Sequence, residues 1–124
     1  MVLPPAVIIH SLAHANLAIQ PGLPVTLVSA PGAALYGGCL WWSALLTEAG
    51  FDGLALLDCG DAPGRAVEAI RLGVRGIILS SPPELWQEVA NAAGKNVLIL
   101  RTAPAALDMA DQGALRALNR WLGG

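Results

Sequence analysis

Short apolar runs recur along the chain, and each is followed by a stretch of helical composition. Ala6–His10 (AVIIH), Val25–Ser29 (VTLVS), Leu54–Cys59 (LALLDC), Gly76–Ser80 (GIILS) and Asn96–Arg101 (NVLILR) are continuous rather than alternating in hydrophobicity. That pattern predicts strands buried on both faces. Between them lie helical stretches at Ser11–Ile19, Leu35–Ala49, Ala62–Leu72 and Pro83–Ala93, with a last one at Gln112–Leu122. Pro21-Gly22, Gly50, Gly73 and Gly94 stand where those helices must stop.

Strands that alternate with helices need crossover connections, and crossovers make a parallel sheet. The expectation is a single α/β domain over residues 1–124. It is a three-layer α/β/α sandwich with a five-stranded, mainly parallel sheet, flavodoxin-like or Rossmann-like. The junctions repeat weakly. Ser29-Ala30-Pro31-Gly32 and Asp61-Ala62-Pro63-Gly64 are near copies, and Ser80-Ser81-Pro82-Pro83 and Thr102-Ala103-Pro104 fill the same place after later strands. A Ser, Thr or Asp caps free helix amides, and proline suits a first turn where its missing N–H costs nothing. Ser81 and Glu84 have capping-box spacing. The same helix starts can also present amides to an anion.

Composition changes the picture in one respect. Hydrophobic residues make up 55% of the chain and charged residues only 13%, about half the usual charged share. So little polar surface implies that part of it is covered by a second copy, and a homo-oligomer is expected. The stretch 1–47 holds no Asp, Glu, Lys or Arg. It lacks the positive start of a signal peptide, and its prolines and glycines cut it too short for a membrane span. The second helical stretch is apolar on every side. Its adjacent Trp41 and Trp42 point about 100° apart, so one of them is expected to meet another subunit or a ligand. A net charge of −2 excludes a basic nucleic-acid face. Two cysteines without CxxC or metal spacing fit a reducing, cytoplasmic setting.

In an open parallel sheet, ligands bind outside the carboxyl ends of the strands. Those ends gather His10, Ser29, Asp58, Cys59, Asp61, Ser80 and Arg101. His10 is a candidate general base, Cys59 a candidate nucleophile and Asp58 a candidate acid–base group. Ser29, Asp61, Ser80 and Arg101 are candidate ligand-binding residues, with Arg101 also the natural partner for Asp58. Each has a plainer reading as a cap, a core group or a structural ion pair. His14, one turn past His10, does not make a metal site without a third ligand. There is no GxGxxG after the first strand, no GxxxxGK[ST] and no HExxH, so no cofactor or metal is expected. The stretch Gly53–Ser81 resembles one βα repeat of (βα)₈-barrel aldolases and phosphate-binding barrels. The likeness covers under a quarter of the chain and lacks the strand-end lysine of those families, since Lys95 precedes a strand. Two functions follow as expectations. One is an oligomeric domain binding a small anionic ligand or a partner at the strand ends, and the other is a small enzyme using His10, Asp58, Cys59 and Arg101 for acid–base or thiol chemistry.

Overall fold

A computed structural model describes residues 2–124. Six strands and six helices follow one another as β1 (Ala6–Ile9), α1 (Leu12–Ile19), β2 (Thr26–Ser29), α2 (Ala33–Tyr36), α3 (Cys39–Ala49), β3 (Ala55–Asp58), α4 (Pro63–Arg71), β4 (Gly76–Ile78), α5 (Pro83–Ala93), β5 (Leu98–Leu100), β6 (Ala106–Asp108) and α6 (Ala114–Trp121). The α/β class, the parallel sheet and the helices packed around it are as the sequence implies. The strand count differs: the sheet has six strands, in the order β5-β4-β3-β2-β1-β6, and every pair is parallel. The extra strand, β6, lies against β1 with Ala6 beside Ala106 and Ile8 beside Asp108.

That order constrains the shape of the sheet. The register places Leu100 level with Ile78 and Asp58, two residues beyond the level of Leu56, Val28, Ile8 and Asp108. In a flat sheet the five spacings from β5 to β6 would amount to about 24 Å, before any drop along the strands. The six steps from Leu100 to Ala106 reach at most about 20–22 Å. The sheet is therefore rolled, and its two edges approach one another.

Burial agrees with the roll. Residues from all six helices pack with Val7, Ile9, Leu27, Leu57, Cys59, Ile77 and Leu79 into one large core on the outer face. On the other face Ala6, Val28, Leu56 and Ile78 form a second core with Leu3, Ile8, Leu54, Leu98, Leu100 and Ala106, and no helix residue takes part. Leu56 is nonetheless 0% exposed. The inner face is covered by its own curvature and by the N-terminal segment, which Thr26 ties down by donating its hydroxyl to the Pro4 carbonyl at 2.8 Å. Trp121 of α6 donates its indole N–H to the Ala6 carbonyl at 2.7 Å.

The expected helix over Leu35–Ala49 is broken into α2 and α3 at Gly37-Gly38. Gly38 sits at φ +83, where a side chain would strain the backbone, and α3 starts afresh from it. Gly76 serves a different need. A Cβ there would lie 2.5 Å from the Ala55 carbonyl oxygen and 2.8 Å from Leu56 Cδ2, so the close approach of β3 and β4 admits no side chain. We expect Gly76→Ala to cost about 1–3 kcal/mol as the strands separate. It would be read as a lower urea midpoint at unchanged m-value; an unchanged midpoint would contradict the close approach.

Candidate functional site

Two groups of polar side chains occupy the carboxyl edge of the sheet, and they behave differently. The first runs across β2, β3, β4 and β5 as a chain of hydrogen bonds. The Asp58 amide donates to Ser29 Oγ at 2.9 Å, and that hydroxyl donates to the Ala30 carbonyl at 3.1 Å. The Gly60 amide donates to Asp58 Oδ1 at 2.8 Å. The Ser80 amide donates to the Gly60 carbonyl at 2.8 Å, and Ser80 Oγ donates to the Arg101 carbonyl at 3.2 Å. Backbone groups at the end of a parallel strand lose their ladder partners, and these side chains satisfy them. Ser29 and Asp58 are buried in this role.

The remaining candidates from the sequence are placed as follows. Cys59 is fully buried in the outer core, and its Sγ donates to the Leu57 carbonyl at 3.8 Å. Burial foremost, with the Cys39 and Asp58 charges adding to it, pushes its thiol up to about 12. A thiol so reluctant to ionise is a poor nucleophile. Cys39 is equally buried, and burial followed by Glu68 pushes it up to about 11. Asp61 is exposed and caps nothing: the residue before α4 is Ala62, without a side-chain cap. Ser81 does not cap α5 either, because Pro82 takes the N-cap position; the Ser81 hydroxyl is buried without a partner. Arg101 does not pair with Asp58. Its guanidinium lies 4.3 Å from the centre of the Trp86 ring, where the aromatic face holds a cation better than a distant carboxylate does.

The second group sits at the other side of the edge, where β1 meets β6. His10 Nε2 and Asp108 Oδ1 are 2.7 Å apart, with about a third of each side chain open to solvent. An ionised carboxylate only accepts, so Nε2 carries the proton and donates it. The Ala110 amide donates to the same oxygen at 2.9 Å. The backbone amide of His10 donates to His14 Nδ1 at 3.1 Å, which puts the proton of a neutral His14 ring on Nε2. The two imidazoles meet edge to face, 5.6 Å between centres. Ser11 accepts the His14 amide at 3.2 Å and so caps α1, as its position in the sequence predicts.

Asp108 is the residue that the sequence did not reveal. It closes a three-residue strand and meets His10 only because β6 returns to β1. Partial burial alone would raise its carboxyl pKa. The Ala110 amide, the hydrogen bond and charge of His10, and the charge of His14 outweigh that and hold it below the usual carboxylate value. Among the described residues no group of three or more His, Cys, Asp or Glu side chains is arranged to hold a metal ion. Nor, among those residues, is any helix long and apolar enough to cross a membrane. No family model matches the chain, and neither does any curated protein or solved structure.

A carboxyl whose pKa is depressed on folding stabilises the folded state above its unfolded value, near 3.8, and loses that contribution as pH falls through the folded value. Asp108→Asn is therefore expected to cost about 1 kcal/mol at neutral pH. The gap to the parent should shrink as pH falls below that unfolded value. Urea midpoints taken across the acid range check this, and a gap independent of pH would rule out the ionised pair as its source.

Proposed function

We propose that the carboxyl edge between β1 and β6 binds a small anionic molecule and that His10, oriented by Asp108, transfers a proton to or from it. The observation that carries this reading is the 2.7 Å contact between His10 Nε2 and Asp108 Oδ1. A carboxylate bonded to one imidazole nitrogen fixes the ring and its tautomer and leaves the other nitrogen with a free lone pair. In His10 that nitrogen is Nδ1, which has no hydrogen-bond partner among the described residues. A base with its proton-free nitrogen unoccupied and its ring partly open to solvent has what proton transfer needs.

The anionic preference is supported by what surrounds the pair. α1 begins two residues after His10, has no acidic residue in its first turn, and presents the positive end of its dipole there. His14 adds a second ring donor through Nε2. Among the described residues no serine hydroxyl or thiol is hydrogen-bonded to His10, and Cys59 is sealed in the core. The chemistry therefore suits proton abstraction from a carbon acid or activation of water rather than a covalent intermediate.

Deuterium exchange into small keto acids and related carboxylates in heavy water tests the proposal directly, with imidazole NMR as the binding readout. The parent protein is expected to shift the His10 and His14 resonances on adding such acids and to catalyse exchange into at least one. His10→Gln is expected to lower that exchange by roughly a hundredfold or more. Absence of any imidazole shift across the acids, or equal exchange by His10→Gln, would overturn it.

A second reading concerns self-association and rests on a separate surface. Leu35, Tyr36, Leu40 and Trp41 are exposed side by side along α2 and the start of α3, with Tyr36 at 72% and Leu40 at 70%. Trp42 turns inward and is fully buried, which leaves Trp41 as the outward member of the pair. We propose that a second copy of the chain covers this patch, in keeping with the low charged fraction of the sequence. Light scattering after size exclusion is expected to give a dimer or larger species, and Leu40→Glu a monomer. A monomeric parent at micromolar concentration would refute it.

A further inference from the structure

A sizeable cleft lies at the opposite edge of the sheet from His10, away from the seam between β1 and β6. It has a volume of about 740 Å³ and opens beneath the amino ends of β3, β4 and β5, between the end of α3 and the turns that lead into those strands. Its apolar wall includes Trp42, Phe51 and Leu98, and its polar rim includes Thr47, Arg75 and Lys95.

Charge is scarce in this protein, which makes the rim informative. Lys95 is the sole lysine in the sequence, and it stands with Arg75 at the mouth of one cleft. Among the described residues neither has a carboxylate within salt-bridge distance; the ion pairs found are His10–Asp108 and Arg65–Glu68. The guanidinium of Arg75 makes one long bond, donating to the Asp52 carbonyl at 3.4 Å. Asp52 also lines the cleft, so the rim carries two cations against one acid.

Unpaired cations at the mouth, with Phe51 and Leu98 in the wall behind them, specify one kind of ligand. We infer that this cleft binds a small amphipathic carboxylic acid, its carboxylate between Arg75 and Lys95 and its hydrocarbon part against Phe51 and Leu98. A fork-shaped guanidinium and a mobile ammonium together suit a carboxylate, and the cleft sets apolar side chains beside those polar groups, as an amphipathic molecule requires. An inorganic anion would meet the rim but leave the wall wet. A neutral alcohol would fill the wall but leave the cations unanswered. The site is separate from His10 and stands or falls without it.

The sole lysine makes the test specific. Hexanoate and benzoate are titrated into the full-length protein, with hexanol, benzyl alcohol and inorganic phosphate as controls. Binding is followed by calorimetry, and occupancy by protection of Lys95 from acylation, located by peptide mass. The acids are expected to bind and to protect Lys95, and each control to bind at least about tenfold more weakly. Arg75→Gln and Lys95→Gln, checked for an unchanged circular dichroism spectrum, are expected to weaken the acids by roughly tenfold each, whereas His10→Gln leaves them unaffected. The inference is overturned if neither acid binds at millimolar concentration, if hexanol or phosphate binds as well as hexanoate, or if folded Arg75→Gln and Lys95→Gln bind as the parent does.

Discussion

Residues 101–105 have to carry the chain from one edge of a six-stranded sheet to the other, and that short tether governs much of what lies around it. Five residues cannot cross a flat sheet of this width, so the sheet rolls until its edges come within reach. Once rolled, the inner faces of the strands cover one another. Leu56 and Ile78 are then buried without any helix above them, and the helices are free to pack together against the outer face. The same roll returns β6 to β1 and brings Asp108 beside His10, 98 positions away in the sequence.

The carboxyl edge divides into a structural part and a chemically open part. From β2 to β5 the polar groups answer backbone amides and carbonyls at the strand ends, and the bonds from Asp58 to Ser29, Ser80 to Gly60 and Ser80 to Arg101 tie each strand end to the next. Ser29, Asp58 and Ser80 are there because parallel strands end with unpaired backbone, and buried unpaired backbone is costly. At the seam between β1 and β6 the pattern changes. A hydrogen-bonded His–Asp pair stands partly in water, and Nδ1 of the His10 ring has no partner among the described residues. The contrast explains why a list of polar strand-end residues overstates a site: most of the polar stock of such an edge has a structural partner already.

The alternation of buried strands and helices was legible because each strand is a continuous apolar run closed by a Ser, Asp or Thr junction. β6 was not, since Ala-Leu-Asp is too short to show a period and follows Pro104 with no helix before it. With β6 unseen, Asp108 had no reason to stand out among the acids of the chain, and His10 remained a lone histidine. Gly37-Gly38 lowers helix propensity in the sequence, but a full break at the positive φ of Gly38 shows only in the structure. In the sequence Arg101 is the natural partner for Asp58, because both close apolar strands. The sequence does not show that Trp86, one turn into α5, lies nearer to the guanidinium, nor that the Asp58 carboxylate is engaged by the Gly60 amide. Cys59 was ambiguous between nucleophile and core residue, and only its full burial decides for the core.

The seam between β1 and β6 also sets an order of events in the life of the chain. Ala6 and Ala106 pair across a hundred residues, whereas every other ladder joins strands that are neighbours in sequence. During synthesis β1 to β5 can therefore assemble strand by strand, each closing a short loop. Until Ala106–Asp108 emerges, β1 remains an open edge and the inner apolar face stays accessible along it, in the condition that invites edge-to-edge association. The last strand acts as the latch of the sheet. Its half-exposed, three-residue length makes that latch the step most easily undone.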